Sequence, residues 1–318
     1  MTTDRGAGES DGDVSESTRL GVALAVLSFV IWGCFPIYFH ALRTVQPLVT
    51  LAFRALFAFP LVVPLLIFRG KGKYLREIFR SKKLVGVFLL TTCLIGANWG
   101  FFIWLVAADK AVMASLGSFI TPLISVLLGI ILLRERPAPG TWLAVILATA
   151  AVFGFGAGLG RFPWEAVVSS VFFSLYSLIR KMANVDSTAA LCAETILLAP
   201  AALMFLVLSA LYWPGVSDTL ADQALLTLLV GAGILTAIPL LLFGSATRRI
   251  NLSTVGMLQY ICPLLQFLSA TVVLGETMTP IQWGSFCVLW GALGWFTVAN
   301  LRHARSSVRP LQQPFHQP

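Results

Sequence analysis

Two ionisable side chains stand inside long apolar runs, Arg54 in PLVTLAFRALFAFPLVVPLLIF and Glu194 in STAALCAETILLAPAALMFLVL. In an apolar medium such a group costs about 3 kcal/mol or more unless it is paired or hydrated, so each marks a place where charge is put to use. Arg54 is suited to attract an anionic or carbonyl-bearing group, and Glu194 to bind a proton or cation. The plainer alternative is a snorkelling Arg54 and a Glu194 paired with Arg180 or Lys181 at the membrane edge. Polar and aromatic side chains at mid-run could complete a pocket with these two. Asn98 and Trp99 lie beside Gly96 and Gly100, Tyr176 and Tyr260 offer rings with a hydroxyl, and Gln259 and Gln266 share a helical stripe with Cys262, Pro263 and Ser269. The expected substrate-binding set is therefore Arg54, Asn98, Trp99, Tyr176, Glu194, Gln259, Tyr260 and Gln266. The plainer reading of the stripe is hydrogen-bonding glue between helices, though glutamines are bulky and costly to bury for packing alone.

These residues belong to a chain that repeats itself. The stretch from Ala114 to Trp142 returns 141 residues later without a gap, placing Ile120, Pro122, Leu123, Glu135 and Trp142 on Ile261, Pro263, Leu264, Glu276 and Trp283. Under the same offset Arg54 falls beside Glu194. Pro122 and Pro263 each remove an amide donor and permit a kink, and Glu135 and Glu276 end their runs against the helix dipole, so all four are expected to act in gating or as hinges.

Other chemistries find no support. There is no P-loop, HExxH or plausible GxSxG, the five cysteines lie singly in apolar runs, and His40, His303 and His316 form no cluster. The sequence thus predicts no catalytic residue, no metal site, no cofactor and no enzyme. A net charge of +8 would suit nucleic acid, but the basic residues are concentrated in alternate loops, a pattern that orients membrane proteins. With 58% hydrophobic and 11% charged residues and a mean hydropathy of +0.86, the partners are a lipid bilayer and a small molecule.

Hydropathy places ten spans at about 20–40, 48–68, 84–107, 112–133, 141–159, 164–181, 188–212, 224–247, 254–274 and 281–301. Eighteen Lys and Arg residues fall on the side of the termini and three, Arg43, Lys110 and Arg161, on the other. Both termini are therefore expected in the cytoplasm. The expected organisation is a disordered acidic tail (1–18), a first five-helix repeat (19–159), a second (160–301) and a basic cytoplasmic tail (302–318). Five helices per repeat force the copies to run in opposite directions, the inverted architecture common in secondary transporters.

The segments NWGFFIW (98–104), SLGSFITPLISVLLG (115–129), LRERP (133–137) and TAIPLLLFGSATRRINLSTVGMLQYICPLLQF (236–267) carry a resemblance to the RarD-type EamA transporters of the drug/metabolite transporter superfamily. The likeness extends over about 20–301. It departs in the second span, where the family has an acidic residue and a histidine and this chain has Val49 and Phe53 before the matching Arg54. The resemblance implies an all-α, ten-helix carrier of the bacterial inner membrane, in a family linked by name to chloramphenicol sensitivity. The expected function is alternating-access transport of a small metabolite or drug, with a proton or ion as the coupled species. An ion or solute channel is the alternative, and the scarcity of unpaired charge for a pore argues against it.

Overall fold

A computed structural model describes residues 9–134, 140–213, 216–250 and 252–307. In chain order the helices are α1 (Glu9–Gly33), α2 (Phe35–His40), α3 (Pro47–Phe68), α4 (Gly72–Arg80), α5 (Lys82–Ala107), α6 (Ala111–Leu133), α7 (Thr141–Leu159), α8 (Trp164–Ala183), α9 (Ser187–Tyr212), α10 (Val216–Ala221), α11 (Gln223–Ala246), α12 (Leu252–Leu258) and α13 (Ile261–Leu268). A π turn (Ser269–Val273) and α14 (Pro280–Ser307) complete the chain. No strand occurs among the described residues. The physical reason is general: in hydrocarbon each backbone N–H and C=O must be satisfied within its own segment, which an α-helix does.

Eight helices among the described residues are long and apolar enough to cross a membrane. They match the first eight predicted spans to within a few residues, the first being made of α1 and α2 together with a break at Cys34. α1 begins at Glu9, inside the stretch expected as a disordered tail. The ninth predicted span is not one helix. It breaks at Gln259 and Tyr260 between α12 and α13, just ahead of Pro263, which can neither donate to the residue four before it nor avoid its carbonyl. The tenth lies within the 28-residue α14, whose apolar character is diluted by Gln282, Trp283, Trp290, Trp295 and three glycines. The basic loop after α3 also holds a helix that hydropathy missed, α4, which buries Ile78 against Val62, Leu66 and Ala189.

The most extensive helix pairs form a regular set: α1 with α11 and α13, α8 with α5 and α6, α3 with α11, α9 with α5, and α3–α9, α6–α13 and α7–α14. Exchanging each helix for its counterpart 141 residues away turns this set into itself. Close approach is secured by glycines. A Cβ on Gly117 would stand 2.9 Å from the Ala166 carbonyl oxygen, and one on Gly233 would collide with Phe57. The apolar core centres on Phe119, Phe155, Phe267 and Phe286, between α6, α7, α13 and α14.

Candidate functional site

α5 is the axis of the site, packed against α3, α8 and α9. Arg54 projects from α3 and is 3% exposed. Its guanidinium carbon lies 4.3 Å from the ring centroid of Trp99 on α5 and 5.3 Å from those of both Phe35 and Phe39 on α2. Three ring faces therefore supply part of the electrostatic compensation that a carboxylate would otherwise give. Among the described residues no ion pair reaches Arg54, and its Nε is buried without a hydrogen-bond partner. Thr50, four residues earlier and on the same helical face, is wholly buried, and its Oγ1 also lacks a partner.

Glu194, on α9, lies in the opposite kind of environment. Its carboxylate accepts hydrogen bonds from Thr91 Oγ1 at 2.8 Å and Tyr176 Oη at 3.2 Å, and pairs with Arg180 Nη1 at 3.4 Å. Thr91 and Trp99 are eight residues apart on α5, so the two charges occupy levels about 12 Å apart along it. The pairing with Arg180 is the plainer alternative anticipated for Glu194. Arg54, by contrast, does not snorkel.

The other expected site residues divide. Asn98 donates from Nδ2 to the Ser169 carbonyl at 3.0 Å and to Ser169 Oγ at 3.3 Å, joining α5 to α8. Gln266 is buried, accepts from Ser118 Oγ at 2.8 Å and donates to Cys262 Sγ at 3.5 Å, so its polarity is spent between α13 and α6. Tyr260, half-buried at the start of α13, packs on the apolar core, and Gln259 is exposed; neither is bonded to Arg54 or Glu194. Pro122 is accommodated within an unbroken α6, whereas Pro263 follows the break. Glu135 lies outside the described residues.

Glu276 has a role that its sequence position concealed. It ends the apolar run after α13, but its carboxylate accepts from the amides of Ala111 and, at 2.8 Å, Val112, capping the N-terminus of α6. The charge that opposed one helix dipole thus satisfies another. Replacing Glu276 by alanine should cost about 1–2 kcal/mol of stability, and by glutamine less, measured by thermal unfolding.

Further ionic contacts went unforeseen. Glu165, 1% exposed, is held by both terminal nitrogens of Arg161 at 2.7 and 2.6 Å and approached by Lys110 at 3.5 Å; the spacing of four between Arg161 and Glu165 was the available signal. His40 meets Asp109 at 3.5 Å. Between α4 and α9, Lys71 pairs with Asp186, which also caps α9 through the amides of Thr188 and Ala189. Burial works to raise the Asp186 carboxyl, but the Lys71 ammonium and the two amides outweigh it and hold the group below the ordinary aspartate range. A carboxyl depressed by folding stabilises the protein above its unfolded value, and that contribution is lost as pH falls through the folded one. Asp186→Asn should therefore lower thermal stability at neutral pH and flatten its fall on acidification. Melting curves taken at falling pH check both.

A cavity of about 370 Å³ opens at the start of α3, lined by Thr44, Val45, Gln46, Val49, Trp213, Val216 and Thr219. It does not include the Arg54 cage, which begins one turn deeper on the same helix. Among the described residues no group of three or more His, Cys, Asp or Glu side chains could hold a metal ion.

Comparison with known proteins follows the same lines. Residues 19–157 match the model of the EamA-like transporter family. A Vibrio cholerae protein described as an uncharacterized transporter is 36% identical over 299 residues, covering 92% of this chain and 97% of its own length. Protein RarD of Streptomyces exfoliatus is 35% identical, covering 91% of each chain. A solved crystal structure at 19% identity superposes with a TM-score of 0.61 over 91% of this chain and 99% of its own, a likeness of fold.

Proposed function

Since the chain belongs to the EamA-like transporter family, and within it to the RarD type, we propose that it is a secondary carrier of the bacterial inner membrane that moves a small solute by alternating access. It is a multi-pass membrane protein related to transporters. The finer reading has ten crossings in two inverted five-helix repeats, with both termini cytoplasmic. The exchange of helix pairs under the 141-residue offset supports the duplication, and the odd number of crossings per repeat supplies the inversion.

One observation carries the mechanism: a buried, unpaired cation and a buried, paired anion stand at two levels beside one helix. Arg54 with Trp99 is the substrate anchor. Glu194, with Tyr176 and Arg180, is the place where a coupling proton or ion would exchange, because its carboxylate can trade partners among three donors without leaving α9. Asn98, Gln266 and Pro263 position the helices around these two, and Glu276 holds α6 at one face of the bundle. The contacts of Glu165 and Asp186 tie neighbouring helices at their ends and are candidates for bonds that break as access alternates. This reading also places an α12–α13 pair, broken near mid-membrane, at the repeat interface, where transporters commonly put discontinuous helices.

The test is counterflow in proteoliposomes. Vesicles loaded with an unlabelled solute mixture should accumulate the matching labelled solute transiently, and a pH gradient should drive net uptake. Absence of flux with every solute, under both conditions, would remove the transport reading. Steady single-channel current in a planar bilayer would replace it by a channel.

A further inference from the structure

Resting on the carrier reading, the chemistry around Arg54 narrows what the carrier takes. The guanidinium has five N–H donors in one plane, and carboxylates match that fork with two parallel hydrogen bonds. Here the rings of Trp99, Phe35 and Phe39 supply the cation's electrostatic company, while hydrogen-bonding capacity goes unused: no bond is made to Arg54 by any described residue, and its Nε is buried without a partner. The Thr50 hydroxyl, one turn away on the same face of α3, is a second buried donor with nothing to bond. Two orphan polar groups in register, both more than nine-tenths buried, indicate an acceptor that no described residue supplies.

The acceptor's charge and surroundings can also be read. Among the described residues no other basic side chain stands over the three rings; Lys110 lies against the Glu165 carboxylate, and Arg43 is exposed and hydrogen-bonded to His40. One unpaired positive charge matches one negative charge; a doubly charged phosphate would leave the second uncompensated in an apolar setting. The walls are the rings of Trp99, Phe35 and Phe39, so the remainder of the ligand must tolerate an apolar lining. We propose that the Arg54 cage is the binding site for the carboxylate of a small organic monoanion with an apolar body, the fork of Arg54 and the hydroxyl of Thr50 acting as its donors.

The experiment uses the full chain in lipid nanodiscs and isothermal titration with shape-matched probes that differ in charge. These are benzoate, benzamide and benzylamine, and 3-phenylpropanoate with its amide and amine, with inorganic phosphate as the arm for a free inorganic anion. At least one carboxylate should bind tenfold or more tightly than its amide, its amine and phosphate. Arg54→Gln should weaken it at least tenfold, and Thr50→Val several-fold. Arg54→Lys, which keeps the charge but loses the fork, should fall between wild type and Arg54→Gln and covers the case in which the glutamine variant fails to fold. Equal binding of amides or amines, preference for phosphate, indifference to Arg54→Gln and Arg54→Lys, or no binding by either carboxylate would each overturn the assignment. Carboxylate binding without counterflow would sink the carrier reading and leave the site standing. Counterflow of neutral or cationic solutes alone would do the reverse.

Discussion

Replacing Arg54 by methionine is expected to abolish transport and, in the same protein, to make the fold harder to melt. Taking a charged group out of water costs several kcal/mol, and ring faces return about 2 kcal/mol when desolvated. Without a counter-ion the guanidinium is a net burden on the empty protein. A methionine of similar length fills the space between Phe35, Phe39 and Trp99 with a flexible apolar chain and lifts that burden, so stability should rise by about 1–3 kcal/mol. Function moves the other way. A charge-assisted contact to an anionic substrate is worth about 3 kcal/mol, and its loss lowers apparent affinity roughly a hundredfold. Melting in detergent beside counterflow in liposomes checks the pair of effects. A methionine variant that melts earlier than wild type would mean that Arg54 holds the fold together.

Glu194 should behave in the reverse sense. Its carboxylate joins three helices through Thr91 on α5, Tyr176 and Arg180 on α8, and its own α9. Glu194→Ala leaves Arg180 without that carboxylate and the Tyr176 hydroxyl without its acceptor, Thr91 keeping the Phe88 carbonyl at 3.2 Å, and breaking a buried pair from one side costs about 3–5 kcal/mol. The alanine variant is expected to insert poorly or melt well below wild type. Glu194→Gln keeps an amide oxygen for Thr91 and loses only the charge, at about 1 kcal/mol. If the group carries the coupled proton, the glutamine variant retains counterflow, which needs no net driving force, and loses accumulation under a pH gradient. Gradient-driven uptake at wild-type level would confine Glu194 to a structural role.

How much of this was legible depended on the kind of interaction. Long apolar runs declare themselves, because a bilayer sets their length and composition; hence the close match of eight spans. The pairing of Glu194 with Arg180 was also legible, since both lie near the ends of consecutive spans. The cage was not. Phe35 and Phe39 reach Arg54 from α2, which restarts after a break at Cys34 that hydropathy cannot register. Gln266 shows the opposite limit. Its helical spacing suggested a cavity stripe, but the geometry that assigns it to Ser118 depends on how closely α13 approaches α6. Glu165 escaped notice because it sits one residue into its span, where sequence alone reads an acidic side chain as solvated.

The break at Gln259 and Tyr260 bears on the energetics of the proposed cycle. If the two halves were the same object turned over, the states open to either side would be related by a rotation and would have equal energy. They are not the same object: α6 runs 23 residues as one rod through Pro122, while its counterpart is divided into α12, α13 and a π turn. A joint in one copy and none in the other gives the halves different elastic compliance, so the degeneracy is lifted. Under the proposed alternating-access cycle such a carrier would have a preferred resting orientation before any gradient acts on it, with the sense of that preference built into the second copy.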